Sequence, residues 1–310
     1  MSTLRGRVAG LPEWDRCAVM GVVNVTPDSF SDGGQWFDGE LAVKHGLDLV
    51  NAGADLVDVG GESTRPGALR VDEAEELRRV VPVVRELAAA GAVVSVDTMR
   101  AAVAEQAIAA GAVLVNDVSG GSADPAMVPA VAAAGVPFVV MHWRGQSIDM
   151  NHRAHYTDVV AEVVAELRAS VDRAVAGGIA LERIVVDPGL GFAKTADHDL
   201  ALLAGLAELR RELARPLLVA ASRKRFLGRV LAGDQGAPPP ARERDAATAA
   251  VSAIAAREGA WAVRVHEVGA SADGVRVARA VEGAAAGSVQ PAGSVRPAGS
   301  VPPVGSAGVV

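Results

Sequence analysis

The sequence alternates eight short valine-rich runs with longer segments rich in alanine, leucine, glutamate and arginine. Nearly continuous apolar runs of this kind are typical of strands buried on both faces, as in a parallel sheet. Because strand and helix alternate through short connections, the strands are expected to be parallel with right-handed crossovers. We therefore predict a single-domain α/β protein, a closed TIM (β/α)8 barrel, with a doubly wound open sheet as the alternative. The predicted strands cover residues 18–25, 55–60, 93–97, 113–118, 137–142, 183–187, 216–221 and 262–266.

The segments between these runs predict helices, several with boundary signals. Asp124 followed by Pro125 predicts an N-cap and a first helical position. Four helices precede a glycine, the usual residue just past a helix C-terminus. These glycines are Gly53, Gly91, Gly111 and Gly135. The predicted helices cover 40–52, 71–90, 100–110, 124–134, 158–176, 197–214, 242–259 and 272–281.

Composition and charge limit the possible functions. The net charge of −7 lacks the basic excess that nonspecific nucleic-acid binding requires, so nucleic acid is not an expected partner. Cys17 is the single cysteine, which excludes an intramolecular disulfide and a cysteine-based zinc site. The N-terminus has no apolar run of signal-peptide length, and no segment is apolar enough to span a membrane. A cytoplasmic protein without a membrane partner is expected.

The chain is predicted to divide into three parts. Residues 1–14 are expected to form an N-terminal extension and residues 15–283 the barrel. The remainder, 284–310, repeats the hexads AGSVQP, AGSVRP and AGSVPP. Such a Gly/Ser/Pro-rich segment has little apolar surface to bury and is predicted to be a disordered tail.

Polar residues stand near the C-terminal end of each predicted strand. In a parallel barrel these ends converge on one mouth, where barrel enzymes place their active sites. A single carboxylate at a strand end could be structural, but a complete ring of polar residues favours an active site. The ring comprises Asn24, Asp58, Glu62, Asp97, Asn116, Asp117, Met141, His142, Asp187, Ser222, Arg223, Lys224, Arg264 and His266.

Two loops and the last strand point to an anionic ligand. The first loop, NVTPDSFSDGG, carries Phe30 and is long enough to be expected as a mobile lid. The second, GGESTRPGA, offers backbone N–H groups together with Thr64 and Arg65, which suit an anion. Arg264 and His266 are two residues apart on a strand and project to the same side. The combination favours a phosphate or diphosphate.

The buried carboxylates require hydrogen-bond donors, because an isolated buried charge is costly. Asp97, Asn116 and Asp187 would suit a planar, amidine-containing heterocycle. Lys224 could compensate their charge, and a purely structural Asp187–Lys224 salt bridge is the alternative.

Eight motifs together resemble the dihydropteroate synthase family in order and approximate spacing. They are MGVVNVTPDSFSDGG, VDVGGESTRPGA, VSVDTMR, VNDVSGG, MHWRG, DPGLGFAKT, SRKRFLG and RVHEV. The resemblance covers about residues 15–283, and the MHWRG and SRKRFLG forms are similar to the actinobacterial branch. Ala220 departs from the family, which usually has glycine there, and Glu267 stands where aspartate is common.

The resemblance implies a Mg2+-dependent transferase of folate biosynthesis, homodimeric and inhibited by sulfonamides. Such enzymes join 6-hydroxymethyl-7,8-dihydropterin diphosphate to 4-aminobenzoate, giving 7,8-dihydropteroate and diphosphate. Matching of motifs assigns the pterin to Asp97, Asn116, Met141, Asp187, Phe192 and Lys224. It assigns the diphosphate to Asn24, Thr64, Arg65, Arg264 and His266, with Asn24 also holding Mg2+. It assigns 4-aminobenzoate to Phe30, Thr64, Arg65, Pro66, Phe192, Ser222 and Lys224.

The resemblance further implies an SN1-like displacement, in which Asp97 stabilises a pterin cation and the neutral amine needs positioning more than deprotonation. The catalytic residues expected on this basis are Asp97, Lys224, Arg264 and His266. Two alternatives remain: a pterin-dependent corrinoid methyltransferase, which needs no diphosphate site, and a catalytically silent pterin-binding paralogue.

Overall fold

A parallel β-barrel forms the centre of the protein. The computed structural model describes residues 6–26, 37–62, 71–145, 153–233 and 236–285. The strands are β1 (Ala18–Asn24), β2 (Leu56–Gly60), β3 (Val94–Asp97), β4 (Leu114–Asp117), β5 (Phe138–Met141), β6 (Ile184–Asp187), β7 (Leu218–Val219) and β8 (Ala262–Val265). All eight predicted strands are present.

The order of the strands is that of a closed barrel. Seven parallel pairings give the order β6-β5-β4-β3-β2-β1-β8-β7. A further parallel bridge between Val186 and Leu217 joins β6 to the start of β7 and completes the ring. The TIM barrel prediction is confirmed, and the open-sheet alternative is wrong.

Helices surround the barrel on its outer face. They are α1 (Phe37–Asn51), α2 (Glu73–Ala89), α3 (Ala101–Ala109), α4 (Met127–Ala134), α5 (Val159–Ala176), α6 (Ala196–Ala204), α7 (Leu206–Leu213), α8 (Arg225–Ala232), α9 (Asp245–Arg257) and α10 (Gly269–Ala285). The four glycines predicted to follow helices have positive φ, between 65° and 116°, as a C-terminal capping residue requires.

Four helix predictions differ from the structure. Segment 197–214 forms two helices, because Gly205 interrupts it where a Cβ would lie 3.0 Å from Val160 of α5. Helix α8 was not predicted, and α9 begins only after a 3-10 turn at Ala241–Arg244. Asp124 is not the N-cap of α4, whose cap is Ala126. Its carboxylate instead accepts the N–H groups of Ala126 and of Ala101 at the start of α3.

Two hydrophobic layers hold the barrel together. The outer layer lies between strands and helices and includes the fully buried Cys17. The inner layer fills the N-terminal end of the barrel, where residues 6–14 cover it. Val8 packs there, and the Trp14 and Trp261 rings lie 6.0 Å apart. The opposite end of the barrel is thus the one available for polar chemistry. Within the described residues, none of the helices has the length and apolar character needed to cross a membrane.

Candidate active site

A cluster of buried charges lies toward the C-terminal ends of β2, β3 and β8, beside Asn116 on β4. Asp58 on β2 is fully buried, and its Oδ2 accepts Arg264 Nε at 2.6 Å and Asn116 Nδ2 at 2.8 Å. A second nitrogen of Arg264 donates to Asp97 Oδ2 at 2.7 Å. Register pairs Asp97 with Asn116 on neighbouring strands, which explains how the sheet brings them together. Four residues from four strands therefore share one hydrogen-bonded network.

The network has more acceptors than donors. Burial, partly opposed by Arg264, raises the pKa of Asp97 to about 7, and the nearby Asp58 carboxylate adds to the rise. Asp58 Oδ1 is buried and accepts no hydrogen bond from any described residue. One guanidinium thus serves two carboxylates. Because buried acceptors without partners are costly, this arrangement favours a ligand that brings N–H donors.

A second group of site residues surrounds the ends of β6 and β7. Asp187 is buried and accepts the Gly189 N–H at 2.7 Å. Burial raises the pKa of Asp187, and the positive charge of Lys224 opposes the rise. The Lys224 ammonium donates to the Leu190 carbonyl and lies 4.8 Å from the centre of the Phe192 ring. Its pKa falls to about 8, chiefly through burial.

Ser222 and His266 form a pair at the ends of β7 and β8. Ser222 Oγ lies 2.9 Å from His266 Nδ1 and also accepts the His266 backbone N–H at 3.1 Å. Arg223 between Ser222 and Lys224 has a φ of +59°, and two hydrogen bonds to Asp245, both 2.7 Å, hold this turn. The turn directs Ser222 toward β8 and Lys224 toward the β6 loop.

The structure brings most of the predicted site residues to the same end of the barrel. Met141 is buried at the end of β5, and Asn24 is half-buried at the end of β1. The sequence assigns Arg264 to the anion and the carboxylates to the planar ring. In the structure the two groups are not separate, because Arg264 forms ion pairs with Asp58 and Asp97. The first loop with its expected lid, and Phe30, Thr64, Arg65 and Pro66, lie outside the described residues.

Two residues near the site were assigned no ligand by sequence reasoning, although Asp58 belongs to the predicted ring of polar residues at the strand ends. Asp58 stands inside an otherwise apolar strand, and a charge in such a run was the available signal. Lys194 is buried in the loop after β6, and lysines are rare in this arginine-rich chain.

Comparisons with known proteins agree with this geometry. Residues 20–266 match the model of the pterin binding enzyme family. A dihydropteroate synthase of Mycobacterium leprae is 59% identical over 260 residues, which are 84% of this chain and 91% of that protein.

Solved structures give the same result. A Xanthomonas albilineans dihydropteroate synthase with 4-aminobenzoic acid is 46% identical, with a TM-score of 0.79, over 86% of this chain and 94% of that one. A Yersinia pestis dihydropteroate synthase in a sulfonamide drug complex is 41% identical, with a TM-score of 0.81, over 89% and 98%.

The match over residues 20–266 therefore shows that this chain belongs to the pterin binding enzymes. Within them, the identity to full-length relatives shows that it belongs to the dihydropteroate synthase family.

Proposed function

We propose that the protein condenses 6-hydroxymethyl-7,8-dihydropterin diphosphate with 4-aminobenzoate to give 7,8-dihydropteroate and diphosphate. The observation that carries this proposal is the network in which Arg264 joins Asp58 and Asp97 beside Asn116. It offers a planar ring several buried acceptors, and it holds the Arg264 guanidinium beside them.

Asp97 is proposed to stabilise the pterin as positive charge develops on it. In an SN1-like displacement, the bond between the pterin methylene carbon and the diphosphate oxygen breaks before the amine attacks. A buried, ionised carboxylate beside the ring lowers the energy of that cation, because electrostatic stabilisation is strong where water is excluded. Asn116 and Asp187 hold the ring in position.

Arg264 and His266 are proposed to bind the departing diphosphate, together with Thr64 and Arg65. A Mg2+ ion is also proposed to bind beside the diphosphate. Asn24 offers an amide oxygen at the end of β1, and Mg2+ commonly takes only one or two protein ligands together with substrate phosphates. When bound, Mg2+ would neutralise charge on the diphosphate.

The second substrate is proposed to bind against Lys224, Phe192 and Ser222, with Phe30 and Pro66 completing the pocket. The aromatic amine attacks in its neutral form, so positioning replaces the need for a general base. Sulfonamides are expected to compete with 4-aminobenzoate here. Ala220 is buried two residues before Ser222. Its methyl group, which the glycine usual at this position lacks, can alter that competition.

An assay with pterin diphosphate, 4-aminobenzoate and Mg2+ tests the proposal by following dihydropteroate and diphosphate together. Stoichiometric formation of both products, dependent on the amine, is the expected result. Absence of dihydropteroate under all these conditions would instead identify a silent pterin-binding paralogue. Omission of Mg2+ should lower the rate if Asn24 and the substrate hold the metal.

We also propose a cytoplasmic homodimer. Exposed apolar side chains on α8, α9 and α10 support a second copy as the partner; they are Val230, Leu231, Ile254, Val277 and Val281. Light scattering after size-exclusion chromatography should give twice the chain mass, and Val277→Glu should reduce it to the monomer. Cell fractionation tests the location.

A further inference from the structure

Lys194 is a buried lysine to which the proposed reaction gives no role, and burial lowers its pKa to about 7. The chain has 27 arginines but only three lysines, Lys44, Lys194 and Lys224. Lys194 is only 5% exposed. Its Nζ lies 3.0 Å from each of three acceptors: His142 Nδ1, the Gly189 carbonyl and the Phe192 carbonyl.

The three contacts use the full donor capacity of an ammonium group. Glu166 Oε2 lies 3.0 Å from His142 Nε2, so a neutral His142 must carry its hydrogen on Nε2 and present a lone pair at Nδ1. Burial lowers the pKa of His142 to about 4, and the Lys194 charge adds to the shift. The planar guanidinium of arginine cannot direct three donors into this compact arrangement.

The loop between β6 and α6 is held from several sides. Asp187 accepts the Gly189 N–H and Asp199 accepts the Gly191 N–H, both at 2.7 Å. The Tyr156 hydroxyl donates to the Ala193 carbonyl at 3.1 Å. Lys194 adds contacts to two carbonyl groups of the same loop and joins it, through His142, to the end of β5.

This loop also contacts the proposed site for the second substrate. The Leu190 carbonyl accepts a hydrogen bond from Lys224, and the Phe192 ring lies 4.8 Å from the Lys224 ammonium. A Cβ at Gly191 would lie only 3.1 Å from Lys224 Cδ, so the loop and the Lys224 side chain are closely packed. A change in the path of the Gly189–Phe192 main chain would therefore move both Phe192 and Lys224.

We propose that Lys194 is a positioning residue for the second substrate, fixing the loop main chain so that Phe192 and Lys224 form the 4-aminobenzoate pocket. The inference rests on the proposed function, because that function identifies the pocket. The pterin network of Asp58, Asp97 and Asn116 lies on other strands, whereas the pterin contacts of Asp187, Phe192 and Lys224 adjoin this loop. Pterin binding should therefore depend on Lys194 less strongly than 4-aminobenzoate binding does.

Kinetics of Lys194→Met provide the first test. Methionine has similar length but no donors, which leaves three acceptors without their partner. The KM for 4-aminobenzoate should rise roughly fivefold to tenfold, while the KM for pterin diphosphate should rise by a clearly smaller factor, about twofold to threefold, because Asp58, Asp97 and Asn116 are untouched. Lys194→Arg should not restore the KM, and the exposed Lys44→Met is the matched control. A variant that is less stable to heat but keeps both KM values would show a purely structural role and overturn the proposal.

Two measurements remain informative even if the wild type makes no dihydropteroate. Calorimetric titration with 4-aminobenzoate, with pterin and diphosphate present, should show the same selective loss of affinity in Lys194→Met. In NMR spectra of protein labelled with ¹⁵N-lysine, the three lysine side chains should give at most three Nζ signals. The signal that is missing in Lys194→Met belongs to Lys194. Below pH 7, where Lys194 is protonated, its ammonium signal should exchange slowly and shift when 4-aminobenzoate binds. An Nζ signal that is unchanged by 4-aminobenzoate would contradict the link to the pocket.

Discussion

Asp58 accepts hydrogen bonds from two site residues, Arg264 and Asn116, and is fully buried. Replacing it by alanine would leave both donors without this acceptor, and removing one partner of a buried ion pair typically costs about 3–5 kcal/mol. We expect Asp58→Ala to lower the free energy of unfolding by about that amount and to raise the KM for pterin diphosphate at least tenfold. Urea unfolding and steady-state kinetics measure the two effects.

The exposed carboxylate of Asp48 on α1 provides the control, since Asp48→Ala should change neither quantity. Asp58→Asn separates charge from shape, because the amide keeps one acceptor. Native pterin affinity in Asp58→Ala would show that Arg264 and Asn116 are positioned without it.

Asp97 makes the reaction depend on pH near neutrality. Its pKa is raised to about 7, mainly by burial, so the carboxylate takes up a proton as the pH falls below that value. Protonation removes the negative charge that stabilises a pterin cation. We expect kcat/KM for pterin diphosphate to fall below pH 7, approaching tenfold per pH unit.

Lys224 should determine the alkaline limb of the same pH profile, in which kcat/KM falls as the pH rises. Its pKa is lowered to about 8, chiefly by burial, so it loses its charge as the pH rises above 8.

The variant Asp97→Asn tests the assignment of the acid limb. Its kcat/KM should be low and should no longer fall as the pH drops below 7. If that variant keeps the wild-type acid limb, another group is responsible.

At the scale of single elements, α5 begins at a clear cap. The Asp158 side chain accepts the N–H groups of Val160 and Ala161, both at 3.1 Å. Asp158→Ala should lower the free energy of unfolding by about 1 kcal/mol, the usual value of an N-cap. Asp172→Ala, on the exposed face of the same helix, should have no destabilising effect. Equal effects of both substitutions in urea unfolding would refute the capping role.

The elements were predicted from sequence to different degrees, for physical reasons. Strands buried on both faces read as continuous apolar runs, so all eight were found. Helix α8 was missed because its eight residues, RFLGRVLA, follow the polar SRK turn directly and contain a glycine. The break at Gly205 lies where the chain packs closely on Val160 of α5, a tertiary contact that no local pattern contains.

The same distinction applies to the site. Polar residues at strand ends predicted where Asp97, Asn116 and Lys224 lie. The pairing of Arg264 with Asp58, 206 residues apart, depends on closure of the barrel and could not be inferred from spacing. The roles given to Phe30, Thr64, Arg65 and Pro66 remain predictions.

At the scale of the whole molecule, the two ends of the barrel have separate tasks. Residues 6–14 cover the N-terminal end, where Trp14 packs on Trp261, while the charged network lies at the other. Trp14→Ala should therefore lower the free energy of unfolding by roughly 2–4 kcal/mol, as expected for loss of a partly buried aromatic side chain. Both KM values should stay within twofold of the wild type. A large rise in KM would show that the two ends are coupled.

The burial of Cys17 gives the wild-type protein a natural reporter of its own motion. The thiol lies immediately before β1 and has no exposed surface, so a thiol reagent can reach it only when that part of the barrel opens. With one cysteine in the chain, the labelling time course has a single origin. Relative to the rate for an accessible thiol, its rate gives the fraction of molecules open at the first strand under native conditions, without any engineered probe, and it should increase when Trp14 is removed.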